Sequence, residues 1–209
     1  MKLRSACAAA LLVLAGCSSG PPTIGDPAPA LTDVQAEQAY QALLARYTGR
    51  AEIYSGFDTQ LFAGATYQSW AFREARVKRL AAFRAMTADE IAAMLVRERE
   101  DHQKHHEFIL GTWVVEPRFD DFDKRDSVWR TALVVEGGEV LPIDVQRISR
   151  VTHDVRALYP YMGAFWVHYR VQFPTTRADG SPVIPPGTKT VKLTLASSLG
   201  KAELITAAE

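Results

Sequence analysis

The sequence predicts an α+β fold in which N-terminal helices with a small β element precede a C-terminal antiparallel β-sandwich. As far as residue 107, apolar residues recur at helical spacing behind helix-capping residues. From Phe108 onward the hydrophobic period changes from about 3.6 residues to about 2 residues, which is typical of half-buried strands. Turn residues separate the short strand-like runs. Such a series favours an antiparallel sandwich.

Residues 1–16 have the pattern of a signal peptide, because Lys2 and Arg4 precede an apolar run that is too short to span a bilayer. The motif at its end, Leu14-Ala15-Gly16-Cys17, resembles the lipobox of bacterial lipoproteins. This resemblance implies cleavage before Cys17, which then carries diacylglycerol and an acyl chain; no other cofactor is expected. In Gram-negative lipoproteins an aspartate in the next position favours the inner membrane, so Ser18 implies an outer-membrane protein that faces the periplasm. An ordinary secretory signal is the alternative.

The mature chain begins with a segment that is typical of a linker. Residues 17–31 are rich in serine, glycine and proline, so we expect a lipidated flexible tether, and a strand that pairs with the body is the alternative. The only other cysteine, Cys7, is expected to leave with the signal peptide. The mature protein therefore has no disulfide and no cysteine nucleophile.

The first folded region, residues 32–107, is predicted to be mainly helical. Thr32 is expected to cap the first helix, with Gln35 as its capping-box partner, and Gly49 to end it. Two strand-like runs, residues 51–55 and 57–68, form the small β element.

Two further helices are predicted after this β element. Ser69 is expected to cap the helix that covers residues 70–86. Thr87 and Glu90 have the spacing of a capping box and start the third helix. This helix is expected to extend through the histidines of the stretch EREDHQKHHEF, which includes Glu98.

The second region, residues 108–209, is predicted to form the sandwich. Six runs have strand-like patterns: residues 108–116, 127–135, 139–148, 164–173, 188–197 and 201–206. The stretch IPPGTKTVKLTL resembles the approach to a late strand in immunoglobulin-like sandwiches. The mature part as a whole resembles the uncharacterised lipoproteins of Gram-negative envelopes, a resemblance that implies a location and no activity.

The fourth of these runs alternates most clearly between apolar and polar residues. Phe165, Val167, Tyr169, Val171 and Phe173 are expected to point toward the core. On the opposite face, an outward tryptophan beside a histidine and an arginine would suit a binding surface. The residues of this predicted surface are Trp166, His168 and Arg170.

The histidine-rich stretch raises the hypothesis of a metal site. On a continuous helix, Glu98, His102 and His106 would share one face, and two imidazoles with a carboxylate are a plausible zinc set. However, His105 occupies the position at which the zinc-peptidase pattern H-x-x-E-H has its glutamate. The neighbouring residues are charged, so a solvated, ion-paired helix end is the favoured interpretation.

A second group of polar residues lies between the first two predicted sandwich strands. Its aspartates are Asp120, Asp121, Asp123 and Asp126. Several carboxylates in one loop suit a hard cation, but the EF-hand spacing is absent and two basic residues follow. A solvated connection between strands is favoured over a cation site.

Composition and motifs favour a non-catalytic function. Basic and acidic residues are equal in number and spread along the chain, which argues against nucleic-acid binding. The sequence has no G-x-S-x-G elbow, phosphate loop or dinucleotide fingerprint, although His153 or His168 could join a triad formed in space. We therefore expect a lipid-anchored scaffold or binding module that acts on an envelope protein or glycan. The alternative is a periplasmic metal-binding or hydrolytic enzyme that uses His102 and His106.

Overall fold

The computed structural model describes residues 28–149, 151–163 and 165–209. The predicted signal peptide, the lipidation site Cys17 and most of the predicted tether lie outside these residues. None of the helices within the described ranges is both long enough and apolar enough to cross a lipid bilayer.

The predicted α+β fold with a β-sandwich is confirmed. In the part of the chain that the structure describes, the α-helices are α1 (Val34–Tyr47), α2 (Trp70–Arg84), α3 (Ala88–Lys104) and α4 (His153–Leu158). The strands are β1 (Thr48–Ser55), β2 (Asp58–Tyr67), β3 (His105–Val114), β4 (Arg130–Val135), β5 (Gly138–Val140), β6 (Asp144–Arg147), β7 (Val167–Pro174), β8 (Thr190–Ser197) and β9 (Gly200–Ala207). The short helix α4 was not predicted.

The strands form two antiparallel sheets that enclose the core. The larger sheet has the order β1-β2-β3-β7-β6, and the smaller sheet has the order β5-β4-β8-β9. Leu110 and Tyr169 of the larger sheet and Leu193 and Leu204 of the smaller sheet are fully buried in one hydrophobic cluster. The burial of such side chains is the main favourable contribution to folding.

The two sheets come closest where β1 meets β9. A Cβ atom on Gly49 would lie 2.7 Å from the backbone nitrogen of Ile205, and one on Gly200 would lie 2.6 Å from Cγ2 of Ile53. Larger residues would force the strands apart at both positions. Gly49 therefore lies within β1 at a close contact between backbones, and the prediction that it ends α1 is wrong.

Long-range pairing also changes two of the predicted strands. The small β element, β1 and β2, belongs to the larger sheet, because β2 pairs with β3 from Leu61 to Tyr67. The run 139–148 was expected to be one strand, but it divides into β5 and β6, which belong to different sheets. Pro142 lies between them and has no backbone N–H with which to continue a ladder.

The start signals of the helices are confirmed at two of three positions. The Ser69 hydroxyl accepts a hydrogen bond from the backbone of α2, and Thr87 and Glu90 form the predicted capping box of α3. For α1 the cap is Asp33 rather than Thr32, since Asp33 Oδ1 accepts hydrogen bonds from the first-turn amides. A carboxylate is favourable there because it also interacts with the positive end of the helix dipole.

The buried side chain of Arg79 connects α2 to α1, α4 and the segment before α1. It forms an ion pair with Glu37 of α1, and its Nε donates to the carbonyl of Ala157 in α4 at 2.9 Å. Its Nη2 donates to the carbonyl of Pro29 at 3.1 Å. Because one guanidinium from α2 satisfies groups of three other segments, the four segments are held together as one layer.

A pair of glycines allows the chain after α4 to lie directly on the larger sheet. Gly64 of β2 pairs with Gly111 of β3. A Cβ atom on Gly64 would lie 2.7 Å from the Tyr161 ring, and one on Gly111 would lie 2.9 Å from Sδ of Met162. The segment with Tyr161, Met162 and Trp166 therefore packs on this face only because both positions lack side chains.

Candidate ligand-binding cleft

A cleft of about 550 Å³ lies between the helical layer and the larger sheet. We call it the charged cleft, and its walls come from α2 and α3 on one side and from β6 and β7 on the other. Ile109 of β3 and Ile148 are its apolar lining residues. Its charged lining residues are Arg73, Arg76, Glu98, Asp101, Glu107, Arg147 and Arg170.

Arg73 is held in one orientation at the inner end of the cleft. Its side chain is 2% exposed, its Nε donates to the carbonyl of Gln68 at 3.1 Å, and its Nη1 donates to Glu98 Oε2 at 2.6 Å. Its Nη2 lies 3.3 Å from Glu107 Oε1 but has no hydrogen-bond partner within the described ranges. A buried donor without a hydrogen bond is costly, and charge attraction to the adjacent Glu107 carboxylate offsets part of that cost.

Glu98 bridges two guanidinium groups. Its Oε1 lies 2.5 Å from Nη2 of Arg76, while Oε2 accepts from Arg73. Burial opposes ionisation of Glu98, but the two guanidiniums outweigh it and hold its pKa below the ordinary value. Burial likewise opposes the charge of Arg76, and its neighbours Tyr159 and Glu98 raise the pKa above its usual range. Glu98 is therefore a structural anion at neutral pH, with both oxygens engaged.

Glu107 lies on β3 beneath these groups and is buried. Gln172 of β7, its partner across the ladder, donates from Nε2 to Glu107 Oε2 at 2.9 Å. Glu107 thus provides the second carboxylate near Arg73, and this ion pair links Arg73 to the larger sheet.

Three charged side chains of the cleft have no opposite charge as a partner within the described ranges. Arg170 of β7 is exposed and donates to the side-chain oxygen of Gln146, but it forms no ion pair among the residues that the structure describes. Asp101 of α3 is exposed on the facing wall and likewise forms no ion pair there. Arg147 also borders the cleft, but its guanidinium lies over the ring of Tyr169, which belongs to the sandwich core.

The hypothesis of a shared helix face for the histidines is wrong. Helix α3 ends at Lys104, and His106 lies in β3, where it pairs with Phe173 of β7. Its Nδ1 lies 3.0 Å from the hydroxyl of Tyr67, and His102 packs beside the indole of Trp70. Strand pairing on both edges of β3 outweighs continuation of the helix. Residues 28–149, 151–163 and 165–209 contain no group of three or more side chains placed to hold a metal ion.

The predicted outward surface on β7 divides into three environments. Trp166 is half-buried against Gly111 and Gly163, and Arg170 faces the charged cleft. His168 is 1% exposed, so the expectation that it points to solvent is wrong. The segment after α4 covers this face of the sheet, which buries His168 and leaves Phe165 exposed instead of inward.

The aspartate-rich segment is anchored by its first residue. Asp120 is buried and accepts hydrogen bonds from the hydroxyls of Thr112, at 2.9 Å, and Tyr169, at 2.8 Å. Burial raises the pKa of Asp120 above its ordinary value, although both hydrogen bonds oppose this change. The segment is therefore not wholly a solvated connection, because Asp120 joins it to β3 and β7.

Sequence reasoning missed most of the charged cleft. Only Glu98 and Arg170 were considered as site residues, whereas Arg73, Asp101 and Glu107 were not. One signal was available: Arg73, Arg76 and Arg79 recur at a spacing of three residues along an otherwise amphipathic helix. Positions three apart lie on the same side of a helix, so this spacing predicts a face of buried or paired cations.

Comparison with known proteins gives no match: no protein-family model fits the chain, and no curated protein or solved structure is significantly similar to it.

Proposed function

We propose that this protein is a lipid-anchored component of the cell envelope, held by Cys17 in the outer membrane and facing the periplasm. Its folded part acts there as a non-catalytic binding module for an envelope protein or glycan. The lipobox resemblance of Leu14-Ala15-Gly16-Cys17 supports the anchor and the location. The charged cleft supports the binding role.

One observation favours binding over catalysis. The carboxylate most central to the cleft, Glu98, is engaged through both oxygens by Arg73 and Arg76. It can neither accept a proton readily nor turn toward a metal without leaving two guanidiniums unpaired, and breaking such buried pairs is strongly unfavourable. The cleft is instead a rigid, charged surface whose rim groups Arg170 and Asp101 are available to a ligand.

Fractionation of a Gram-negative host that produces the full chain tests the anchor. We expect the protein in the outer-membrane fraction, with a lipid-sized mass increase on Cys17. The Cys17→Ala variant should lose both the mass increase and the association with membranes. Membrane association of this variant equal to that of the unaltered protein would contradict the proposal.

A second experiment tests the binding role separately. The full-length lipidated protein in detergent micelles is incubated with isolated envelope glycan and with solubilised envelope proteins. We expect retention on one of these materials that Arg170→Glu weakens. Arg118→Glu serves as the matched control, because Arg118 is exposed and lies outside the cleft. Retention on neither material, or equal retention for both variants, would contradict a binding role for the cleft.

A further inference from the structure

Arg170 and Asp101 are exposed charges that, among the residues the structure describes, have no opposite partners on facing walls of the charged cleft. The third charge of the cleft without an ion pair there, Arg147, lies over the ring of Tyr169. Arg170 projects from β7, and Asp101 projects from α3. The other charges are engaged inside the network, since Glu98 pairs with Arg73 and Arg76, and Glu107 lies beside Arg73. A ligand that neutralises both open charges must itself carry one positive and one negative group.

Arg73 is a second and independent indication that the ligand carries an anionic group, which would lie at the inner end of the cleft. Arg73 lines the cleft, and its guanidinium is almost fully buried and fixed through Nε and Nη1. Its buried Nη2 lies 3.3 Å from Glu107 Oε1 but makes no hydrogen bond in the described part of the chain. Guanidinium donors suit carboxylates because both groups are planar and present paired sites. A ligand carboxylate that reaches this atom would satisfy it.

We propose that the cleft binds a zwitterionic ligand, an amino acid or short peptide, through Arg170 and Arg73 at its carboxylate and through Asp101 at its ammonium group. This inference rests on the proposed binding function and specifies the class of ligand for the same site. A volume of about 550 Å³ lies within the range of small-ligand pockets and accommodates a short peptide. Ile109, the cross-strand neighbour of Arg170, adds an apolar side chain to the cleft, and lower local polarity strengthens the attraction between charges.

Trialanine is a suitable probe because it carries a terminal ammonium group and a terminal carboxylate, and its side chains are only methyl groups. Its binding to the full-length lipidated protein in detergent micelles can be measured by calorimetry. Two matched peptides each lack one charge: N-acetyl-trialanine has no ammonium group, and trialanine amide has no carboxylate. We expect saturable binding of trialanine, and binding at least about tenfold weaker for each blocked peptide, in keeping with loss of one charged hydrogen bond.

Variants of the two walls show which residue recognises which end. In Asp101→Asn, the difference between trialanine and its acetylated form should disappear, whereas the difference from the amide should persist. In Arg170→Gln, the difference between trialanine and its amide should become smaller, because only Arg73 remains at the carboxylate, whereas the difference from the acetylated form should persist. Asp89→Asn on the first turn of α3 and Arg118→Gln are matched controls outside the cleft and should behave as the unaltered protein.

Three outcomes would overturn the inference: no saturable binding of trialanine, equal binding of all three peptides, or unchanged preferences in both cleft variants. The proposed binding function is tested separately, by the retention of the protein on envelope material. If trialanine does not bind but retention on envelope material still depends on Arg170, the cleft is a binding site and only the ligand class is wrong. If both results are negative, the binding role of the cleft fails as well.

Discussion

The guanidinium of Arg73 donates a hydrogen bond to the carboxylate of Glu98 across the gap between α2 and α3, with 2.6 Å between Nη1 and Oε2. The same carboxylate also pairs with Arg76 of α2. One glutamate thus joins two turns of α2 to the middle of α3. Helix α3 contributes no buried residue to the core, so this ionic contact is an important part of its attachment to α2.

Glu98→Gln should therefore destabilise the protein. The substitution keeps the size of the side chain but removes the charge that compensates two guanidiniums, of which Arg73 is almost fully buried. We expect a loss of roughly 3 kcal/mol in the free energy of unfolding, measured by urea denaturation at pH 7. Glu203→Gln is the matched control, since the ion pairs of Glu203 are on the exposed side of the small sheet and should matter little. Equal effects of the two changes would show that the Glu98 contact is not important for stability.

Stability should fall as the pH is lowered from about 6.5 toward about 4. Burial lowers the pKa of His168 to about 4, opposed by a backbone group of Trp166, and burial together with His102 lowers the pKa of His106 to about 4. The unfolded chain, in which histidine has a pKa near 6.5, binds more protons in this interval, so acid favours unfolding. The stabilisation is fully present above the unfolded pKa and is lost as the pH falls through the interval.

Urea denaturation at several pH values measures this dependence. His168→Gln should make the free energy of unfolding less dependent on pH between about 4 and 6.5, because one shifted group is removed. His153→Gln is the control, since His153 is exposed at the start of α4. A pH dependence that is identical in the His168→Gln variant and the unaltered protein would contradict the assignment.

Gly64→Ala should destabilise the fold by about 1–3 kcal/mol, the usual cost of overpacking. The added Cβ would lie 2.7 Å from the ring of Tyr161, which is held by a hydrogen bond to Thr66. Gly111→Ala should also be destabilising, because its added Cβ would lie 2.9 Å from Sδ of Met162 and 3.0 Å from the indole of Trp166. In a Tyr161→Ala background the cost of Gly64→Ala should shrink, which a double-mutant cycle measures. An unchanged cost in that background would locate the strain elsewhere.

Zinc should not stabilise the protein through the histidines. Two imidazoles on different elements, with Glu98 engaged by arginines, do not form a ligand set, so thermal unfolding with zinc, manganese or nickel should show a negligible shift. A real site at one hundred times its dissociation constant would contribute about 2.7 kcal/mol. A saturable rise in melting temperature that disappears in the variant with both His102→Gln and His106→Gln would support the metal-binding alternative.

Much of the local structure could be predicted from the sequence. The starts of α2 and α3 depend on Ser69 and on the Thr87–Glu90 capping box, whose hydrogen bonds involve residues at most three positions apart. The strands of the sandwich were predicted because alternation of polar and apolar residues is also a local pattern. The α+β class followed from these signals without any knowledge of which strands pair.

Only the tertiary structure decided where α3 ends and which charges meet. His106 lies beyond the helix because β3 gains pairing partners on both edges, and one of those partners, β7, is more than fifty residues away along the chain. The charged cleft likewise combines Arg73, Glu98, Glu107 and Arg170, which come from four different elements. Capping and periodicity act over one or two turns, so they determine elements. Strand pairing and ion pairing act across space, so they determine the site.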